Sequence, residues 1–494
     1  MLLLLDGLDE VADNSSFKAA LRTALTLYKD CPTVLTCRTV SFEEHRGLCP
    51  AFPVFILAGL DHTQRDAYIR AFPAEHPERF NPESLIDQLS RTPQMRPLEA
   101  NPLLLSLICF VVDDPHGVTL PAVRGELYDK TVEKLLMRPR RVKVIYPGGN
   151  SDLPVMRKRR VLERASLSLF AGMDERRQLT FDEGPLLDAL TEAAKLEGYH
   201  ADPAPVADAL LADLTQNSGI LRGSAEQDYF FLHLTVQEYL AASALAKIVS
   251  DPKGKGWDSK VEVGSKGATA HELVDKKAWD PRWQEVIVLL AGKLTDPVTL
   301  LKLLADEKKD DSFRHRLCLA ARGLPELSVQ GENLTQRIAE DVLNLWWLHK
   351  ELPHLSQCLP HLAQGSPNAG LLLLQRLHDK DRDVRWDAAR ALGQMGEAAA
   401  RHPEVIPTLV EAALDEEDSG VRWYAARALG QMGEAVARRA DVIPALLHSL
   451  RDRDRDERWP AAEALGRIME QGVRIFKGRR GQWTCRSVEE LAKL

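Results

Sequence analysis

Cysteine is scarce in this 494-residue chain: seven residues, an odd number, scattered at Cys31, Cys37, Cys49, Cys109, Cys318, Cys358 and Cys485 with no Cys-x-x-Cys pair. That spacing indicates neither a disulfide framework nor a zinc site, and inert buried thiols are the expectation. Long hydrophobic runs are missing too. The longest, Pro102 to Val112, falls short of the ~20 residues a membrane-spanning helix needs. The opening Met1-Leu2-Leu3-Leu4-Leu5-Asp6 reaches an acid after four leucines and has no basic flank, which excludes a secretory signal. A cytoplasmic location with no membrane partner is expected. Charge of one sign is also lacking: 64 basic against 72 acidic residues give a net charge of −8, so nothing global points to nucleic acid.

What is present suits a folded, modular chain. Hydrophobic residues make up 45% and charged residues 28%, and the length is several times the ~150 residues of one domain. The C-terminal quarter repeats. Val384-Arg385-Trp386-Asp387-Ala388-Ala389-Arg390-Ala391-Leu392-Gly393-Gln394-Met395-Gly396-Glu397-Ala398 returns 37 residues later as Val421 to Ala435, and a looser copy runs from Arg458 to Gly466. Ala388, Ala389, Leu392 and Met395 share one helical face. Val405, Ile406, Leu409, Val410, Ala413 and Leu414 give a partner helix, with Pro407 and Pro444 in first turns. Neither helix buries its stripe alone, so the units must stack.

These residues resemble the HEAT repeat family, Asp381 to Gly393 most closely, over about residues 366–470; a decayed form reaches back through 285–365. The resemblance implies a binding surface for a protein partner. Pro460 stands where the first two copies have Asp387 and Tyr424, so the third helix is expected to start later or be distorted. Trp386, Trp423 and Trp459 recur at equivalent positions. Two readings stand for them, packing between units and an exposed aromatic stripe.

The first eleven residues, Met1 to Val11, read as a buried strand ending in acids, the arrangement of a parallel strand whose carboxyl end meets a ligand. A helix carrying Phe17, Ala20, Leu21 and Leu25 comes next, then strands at 33–37 and 54–57. A carboxylate past a strand can hold Mg²⁺, and neighbouring acids can orient an attacking water. The pattern resembles the extended Walker B motif of the NACHT family of STAND signalling NTPases. That resemblance implies a metal role for Asp6, a water-directing catalytic role for Asp9 and Glu10, and a sensor role for Arg38. It also implies ATP (or GTP) with Mg²⁺ as cofactors and self-association on activation as a homo-oligomer.

Further matches come in the family's order. Asn101-Pro102-Leu103-Leu104-Leu105 resembles a nucleotide-contacting helix start in the small helical domain, which assigns cofactor binding to Pro102; Arg124-Gly125-Glu126-Leu127-Tyr128 resembles that domain's next helix. Phe231-Leu232-His233-Leu234-Thr235-Val236-Gln237-Glu238-Tyr239-Leu240-Ala241-Ala242 resembles the end of the winged helix, whose histidine, here His233, holds the nucleotide-bound closed form. Taken without the family, His233 reads first as a satisfied core or cap histidine rather than a phosphate contact, and Glu238 as a surface acid; with the family the two readings of His233 stand even. Trp279 to Glu285 also resembles the segment after the winged helix in NACHT chains with helical-repeat tails.

The phosphate-cradling Gly-x-x-x-x-Gly-Lys-Ser/Thr loop is missing, and so is the central strand of the sheet. A truncated gene model, a degenerate copy and a separately supplied fragment all fit, and this chain by itself is expected to bind nucleotide weakly or not at all. The basic residues Arg138, Arg140, Arg141, Lys143, Arg157, Lys158, Arg159 and Arg160 bracket a turn-rich loop; a solvated interdomain loop is the expected reading, with nucleic acid the lesser one. A polar stretch at 251–267 reads as an insertion.

The expected fold class is an α/β remnant of a P-loop NTPase sheet followed by a mostly α chain: helical domain, winged helix and α-solenoid of HEAT-like repeats. The expected boundaries are 1–62 for the partial nucleotide-binding domain, 63–160 for the small helical domain, 161–247 for the winged helix, 268–365 for a helical linker or degenerate repeats, 366–470 for HEAT repeats and 471–494 for a tail. Two functions remain: an NTPase switch fragment with a repeat sensor, and a non-enzymatic HEAT scaffold for protein–protein interaction.

Overall fold

The computed structural model describes the chain apart from residues 1–2, 6–14, 30, 38–51, 56, 58, 91, 93–94, 115–119, 122, 139–141, 147–152, 173–179, 200–202, 224–227, 263–266, 328–331, 416–417, 438, 440, 451–454, 471–472, 478–482 and 488–494. It divides into two compact units, residues 1–60 and 61–494.

In the first unit Leu3–Leu5 pairs in parallel with Thr33–Leu35, in the register Leu3 to Thr33, Leu4 to Val34 and Leu5 to Leu35. Parallel strands need a crossover, and helix Ser15–Leu27 lies between them in sequence. Its Leu21 is buried against Leu5, Leu25, Leu35 and Cys37. Because side chains alternate along a strand, Leu4 and Val34 fall on the other face and are exposed. The strand expected at 54–57 does not form: residues 53–55 and 57 carry no strand, and Phe55 and Leu57 are 86% and 94% exposed. Its apolar pattern meets no partner ladder among the described residues, and an isolated extended segment gains no sheet hydrogen bonds. Among the described residues of this unit the sheet consists of these two strands.

The second unit is mostly helical. Helices His62–Ala71, Pro82–Ser90, Arg96–Glu99, Pro102–Val112 and Arg124–Leu136 come first. Buried Arg65 is neutralised by Glu99 at 3.0 Å and by Asp66. Asp113, at the end of its helix, accepts from the backbone N–H groups of Glu75 and His76.

Next, helices Val155–Gly172, Glu183–Leu196 and Pro203–Asp213 surround a three-stranded antiparallel sheet in which Asp228–Phe231 lies between Phe181–Asp182 and Leu221–Gly223. Helix Leu234–Val249 leaves the last strand and is buried almost all round. Gln237 and Glu238 are therefore buried rather than on the surface. The expectation of a surface acid fails because neighbouring helices flank this one on more than one side. Lys260–Val261 and Ala268–Thr269 form a small ribbon within and beside the polar stretch.

Trp283, just before helix Gln284–Lys293, is buried edge-on to Phe170 at 5.3 Å. Helices Val298–Ala305, His315–Gly323, Glu332–Leu348, Pro353–Gly365 and Pro367–Leu377 carry the solenoid to the repeats. One apolar core runs from Leu107 in the helical part to Ile468 in the last repeat. Cys109, Cys318 and Cys358 are buried free thiols, and burial pushes the Cys109 thiol up to about 12.

The repeats form as helix pairs. Second helices Arg382–Met395, Ser419–Gln431 and Arg455–Glu470 begin at equivalent points, 37 and 36 residues apart. The third does not start late: Pro460 lies inside it. Five residues of helix precede the proline, so its missing N–H falls where the preceding turn is already formed. Gly396 and Gly433 follow the first two with positive φ of 62° and 55°, which glycine adopts at no steric cost. Met469 stands at the equivalent third position, and that helix continues to Glu470.

Candidate functional site

Of the residues that the nucleotide reading singles out, Asp6, Asp9, Glu10 and Arg38 lie outside the described residues. Pro102 and His233 lie inside. Asn101 caps the helix that Pro102 opens: its Oδ1 accepts from the N–H groups of Leu103 at 3.0 Å and Leu104 at 3.3 Å. Proline fits there because the first helical residue needs no N–H partner, and its ring is exposed.

His233 is the N-cap of helix Leu234–Val249 and is half-buried. The backbone N–H of Thr235 donates to its Nδ1 at 3.2 Å, and the Thr235 hydroxyl lies 2.6 Å from the same nitrogen. An acceptor Nδ1 carries no proton, so the neutral ring bears its N–H on Nε2. The histidine therefore caps the helix through Nδ1 and carries its ring proton on Nε2.

Thr235 leads on to the rest of the junction. Its side chain lies beside Tyr128, buried in helix Arg124–Leu136. One turn earlier on that helix, Arg124 donates from Nη1 to Glu285 at 2.7 Å and from Nε to Glu326 at 2.5 Å. Glu285 sits in the first turn of helix Gln284–Lys293, and Glu326 ends the turn after helix His315–Gly323. Burial would lower the Arg124 pKa, but the charges of Glu326 and Glu285 outweigh it and hold the guanidinium firmly protonated. Arg322 donates to Gln284 at 2.7 Å and lies 3.7 Å from Glu285. His361, from helix Pro353–Gly365, completes the group: burial first, then the positive charges of Arg322 and Arg124, push its pKa down to about 4. It is neutral at neutral pH.

A second polar cluster joins four helices beside the first. Asp129 accepts from Arg159 and Tyr239, and from Lys293 at 3.3 Å. Arg159 also donates to buried Glu163 at 2.9 Å, which pairs in turn with Lys247. Burial raises the Asp129 pKa, yet the bonds from Tyr239 and Arg159 and the Lys293 charge win, leaving it at about 2.

Sequence reasoning missed these groups. Lys158 and Arg159 read as part of a basic loop, but both are buried: Lys158 pairs with Asp213, which also accepts from Tyr146 at 2.9 Å. The eight charges do not form one exposed patch. A signal existed in helix Val155–Gly172, where the basic run sits directly before apolar residues of the same helix.

In the repeats, Trp386 donates from Nε1 to Asp418, the N-cap of the next unit's second helix, at 2.7 Å. Trp423 is half-buried between Tyr424, 4.7 Å away, and Arg427, 5.2 Å from its ring. Trp459 is 57% exposed. Packing between units is the role of the first tryptophan, and exposure increases toward the last.

The comparisons agree with this architecture. Residues 124–245 match the family model of the winged helix-turn-helix domain C-terminal to NACHT, and residues 370–466 match that of HEAT repeats. No curated protein matches the chain. A crystal structure of an engineered protein aligns over 93% of this chain and 97% of that one at 15% identity, but its TM-score of 0.22 supports no argument. Among the described residues no helix is long and apolar enough to cross a membrane. The chain thus contains a region similar to the winged helix that follows NACHT domains and, after it, a region similar to HEAT repeats.

Proposed function

We propose that this chain is the switch and sensor portion of a STAND-type signalling NTPase. In this reading the winged helix responds to nucleotide through His233, and the HEAT region binds a protein whose capture biases the switch. The observation that carries the proposal is that Arg124, one turn from the Tyr128 that lies beside Thr235 of the His233 cap, is ion-paired to Glu285 and Glu326. A change in what His233 touches is transmitted to the first helices of the solenoid, since those helices are ion-paired to the same element.

ATP or GTP with Mg²⁺ is the cofactor this reading implies. His233 fits a phosphate by its chemistry, because the ring nitrogen not used in capping carries the proton and can donate. Asp6 is proposed for the metal, Asp9 and Glu10 for the water, and Arg38 and Pro102 for the nucleotide. Bound nucleotide would supply a charged phosphate chain; this chain's own part is to orient the histidine donor and relay its position. Without a phosphate-cradling loop the affinity of this chain alone is expected to be in the millimolar range.

The test is hydrogen exchange at residues 233–238 with millimolar Mg-ADP, with Mg-AMP as control. Added protection with ADP that disappears in His233→Asn supports the reading, because asparagine preserves the cap and removes the ring donor. Protection unchanged by that substitution, or absent with ADP, contradicts it. A HEAT scaffold without a switch is the alternative that the second result would favour.

A further inference from the structure

A glycine–alanine contact recurs between consecutive second helices of the repeats. On the leaving side of helix Arg382–Met395, Trp386 and Gly393 meet the next second helix: the Trp386 ring covers Gly420, where a Cβ would come within 2.1 Å of it, and a Cβ on Gly393 would lie 3.1 Å from that of Ala428. On helix Ser419–Gln431 the equivalent Gly430 meets Ala464, and a Cβ there would lie 2.7 Å from the Ala464 Cα. Ala389 and Ala426, between tryptophan and glycine on the same stripe, are buried.

Helix Arg455–Glu470 carries the same stripe in the same register, as Trp459, Ala462, Gly466 and Met469. All four are exposed, and a Cβ on Gly466 would meet nothing within 4 Å. The tryptophan of the first interface and the glycine used in both thus recur a third time, on a face left exposed among the described residues. An exposed apolar helical face of this kind marks an interaction site.

We propose that this face binds a partner helix of the HEAT second-helix type, docked parallel to Arg455–Glu470. The chemistry it requires is given by the incoming half of the interface already formed: an N-cap carboxylate to accept from the Trp459 indole N–H, a glycine or similarly small residue two positions on to seat the ring, and an alanine ten positions past the cap to meet Gly466, as Asp418, Gly420 and Ala428 do for Trp386 and Gly393. The inference is independent of nucleotide and survives if His233 has no phosphate role.

The test uses the full chain and a fluorescently labelled peptide with the sequence of residues 417–433, held helical by a hydrocarbon crosslink between positions 426 and 430, the face turned away from Gly420 and Ala428. Fluorescence anisotropy is expected to show saturable binding on the order of 10–100 µM. Binding should weaken at least about tenfold with Gly466→Leu in the chain, and likewise with Asp418→Ala or Gly420→Leu in the peptide. Gly466→Leu leaves the fold intact because the position is open, and thermal melting confirms that. No binding, or binding indifferent to Gly466→Leu, overturns the proposal. Sedimentation of the chain alone covers the remaining occupant: a dimer abolished by Gly466→Leu would assign the face to a second copy and overturn the choice of partner.

Discussion

Arg124 and Glu326, 202 residues apart in sequence, share a 2.5 Å ion-paired hydrogen bond that fastens the start of the winged-helix region to the solenoid. Glu326 is buried, so the guanidinium compensates a carboxylate that water does not reach. Arg124→Ala would strand both Glu326 and Glu285. Removing one partner of a buried pair is costly, and a loss of ~2–4 kcal/mol is expected after allowance for the partial exposure of Arg124. Urea denaturation measures it, and Arg124→Lys should lose less because one of the two carboxylates can still be paired.

His361 gives the junction a pH dependence with a definite sign. The folded state keeps this imidazole neutral down to about 4, whereas an unfolded histidine takes up its proton near ~6.5. Below ~6.5 the unfolded chain binds more protons, so stability is complete above that pH and declines as the pH falls through 4. The urea midpoint should drop between pH 7 and pH 5. His361→Gln should flatten part of that slope while leaving the contribution of Asp129, which appears only as the pH approaches about 2.

The three repeat tryptophans should separate by position. Trp386→Ala removes a ring packed on the next unit and its bond to Asp418, and a cost of ~3 kcal/mol is expected. Trp459→Ala touches an exposed side chain and should stay within ~0.5 kcal/mol. Trp423→Ala should fall between them. Thermal melts of the three variants decide, and equal effects at 386 and 459 would contradict the graded packing.

The glycines of the same stripe behave oppositely to one another. At Gly430 an added methyl would come within 2.7 Å of the Ala464 backbone, so Gly430→Ala should destabilise by ~1–3 kcal/mol. Gly466→Ala adds a methyl in open space within a helix and should stabilise by up to ~1 kcal/mol. Chemical denaturation of the pair checks both signs.

How much of this was legible in the sequence depends on the distance over which each feature is written. The repeats declared themselves because Val384 to Ala398 returns almost unchanged at Val421 to Ala435, and a local period needs no knowledge of the rest of the chain. The helix after His233 was readable for the same reason, from a contiguous run of residues. The strand expected at 54–57 failed because an apolar run specifies burial without supplying a neighbour. Arg124, Lys158, Arg159 and Glu326 were not recognised as a junction, since a charge buried against a partner 202 residues away, as Arg124 is against Glu326, has the same local appearance as one in solvent. The assigned roles of Asp6, Asp9, Glu10 and Arg38 are open to mutation and not to geometry.

The proposed relay requires the helices around His233 and the first solenoid helices to move as one body through Arg124. Deuterium uptake, compared between the wild-type chain and Arg124→Ala under native conditions, tests that directly. The expected result is a joint loss of protection in residues 124–136, 234–240, 284–293 and 315–326. A loss confined to residues 124–136, with the solenoid helices as protected as before, would contradict it.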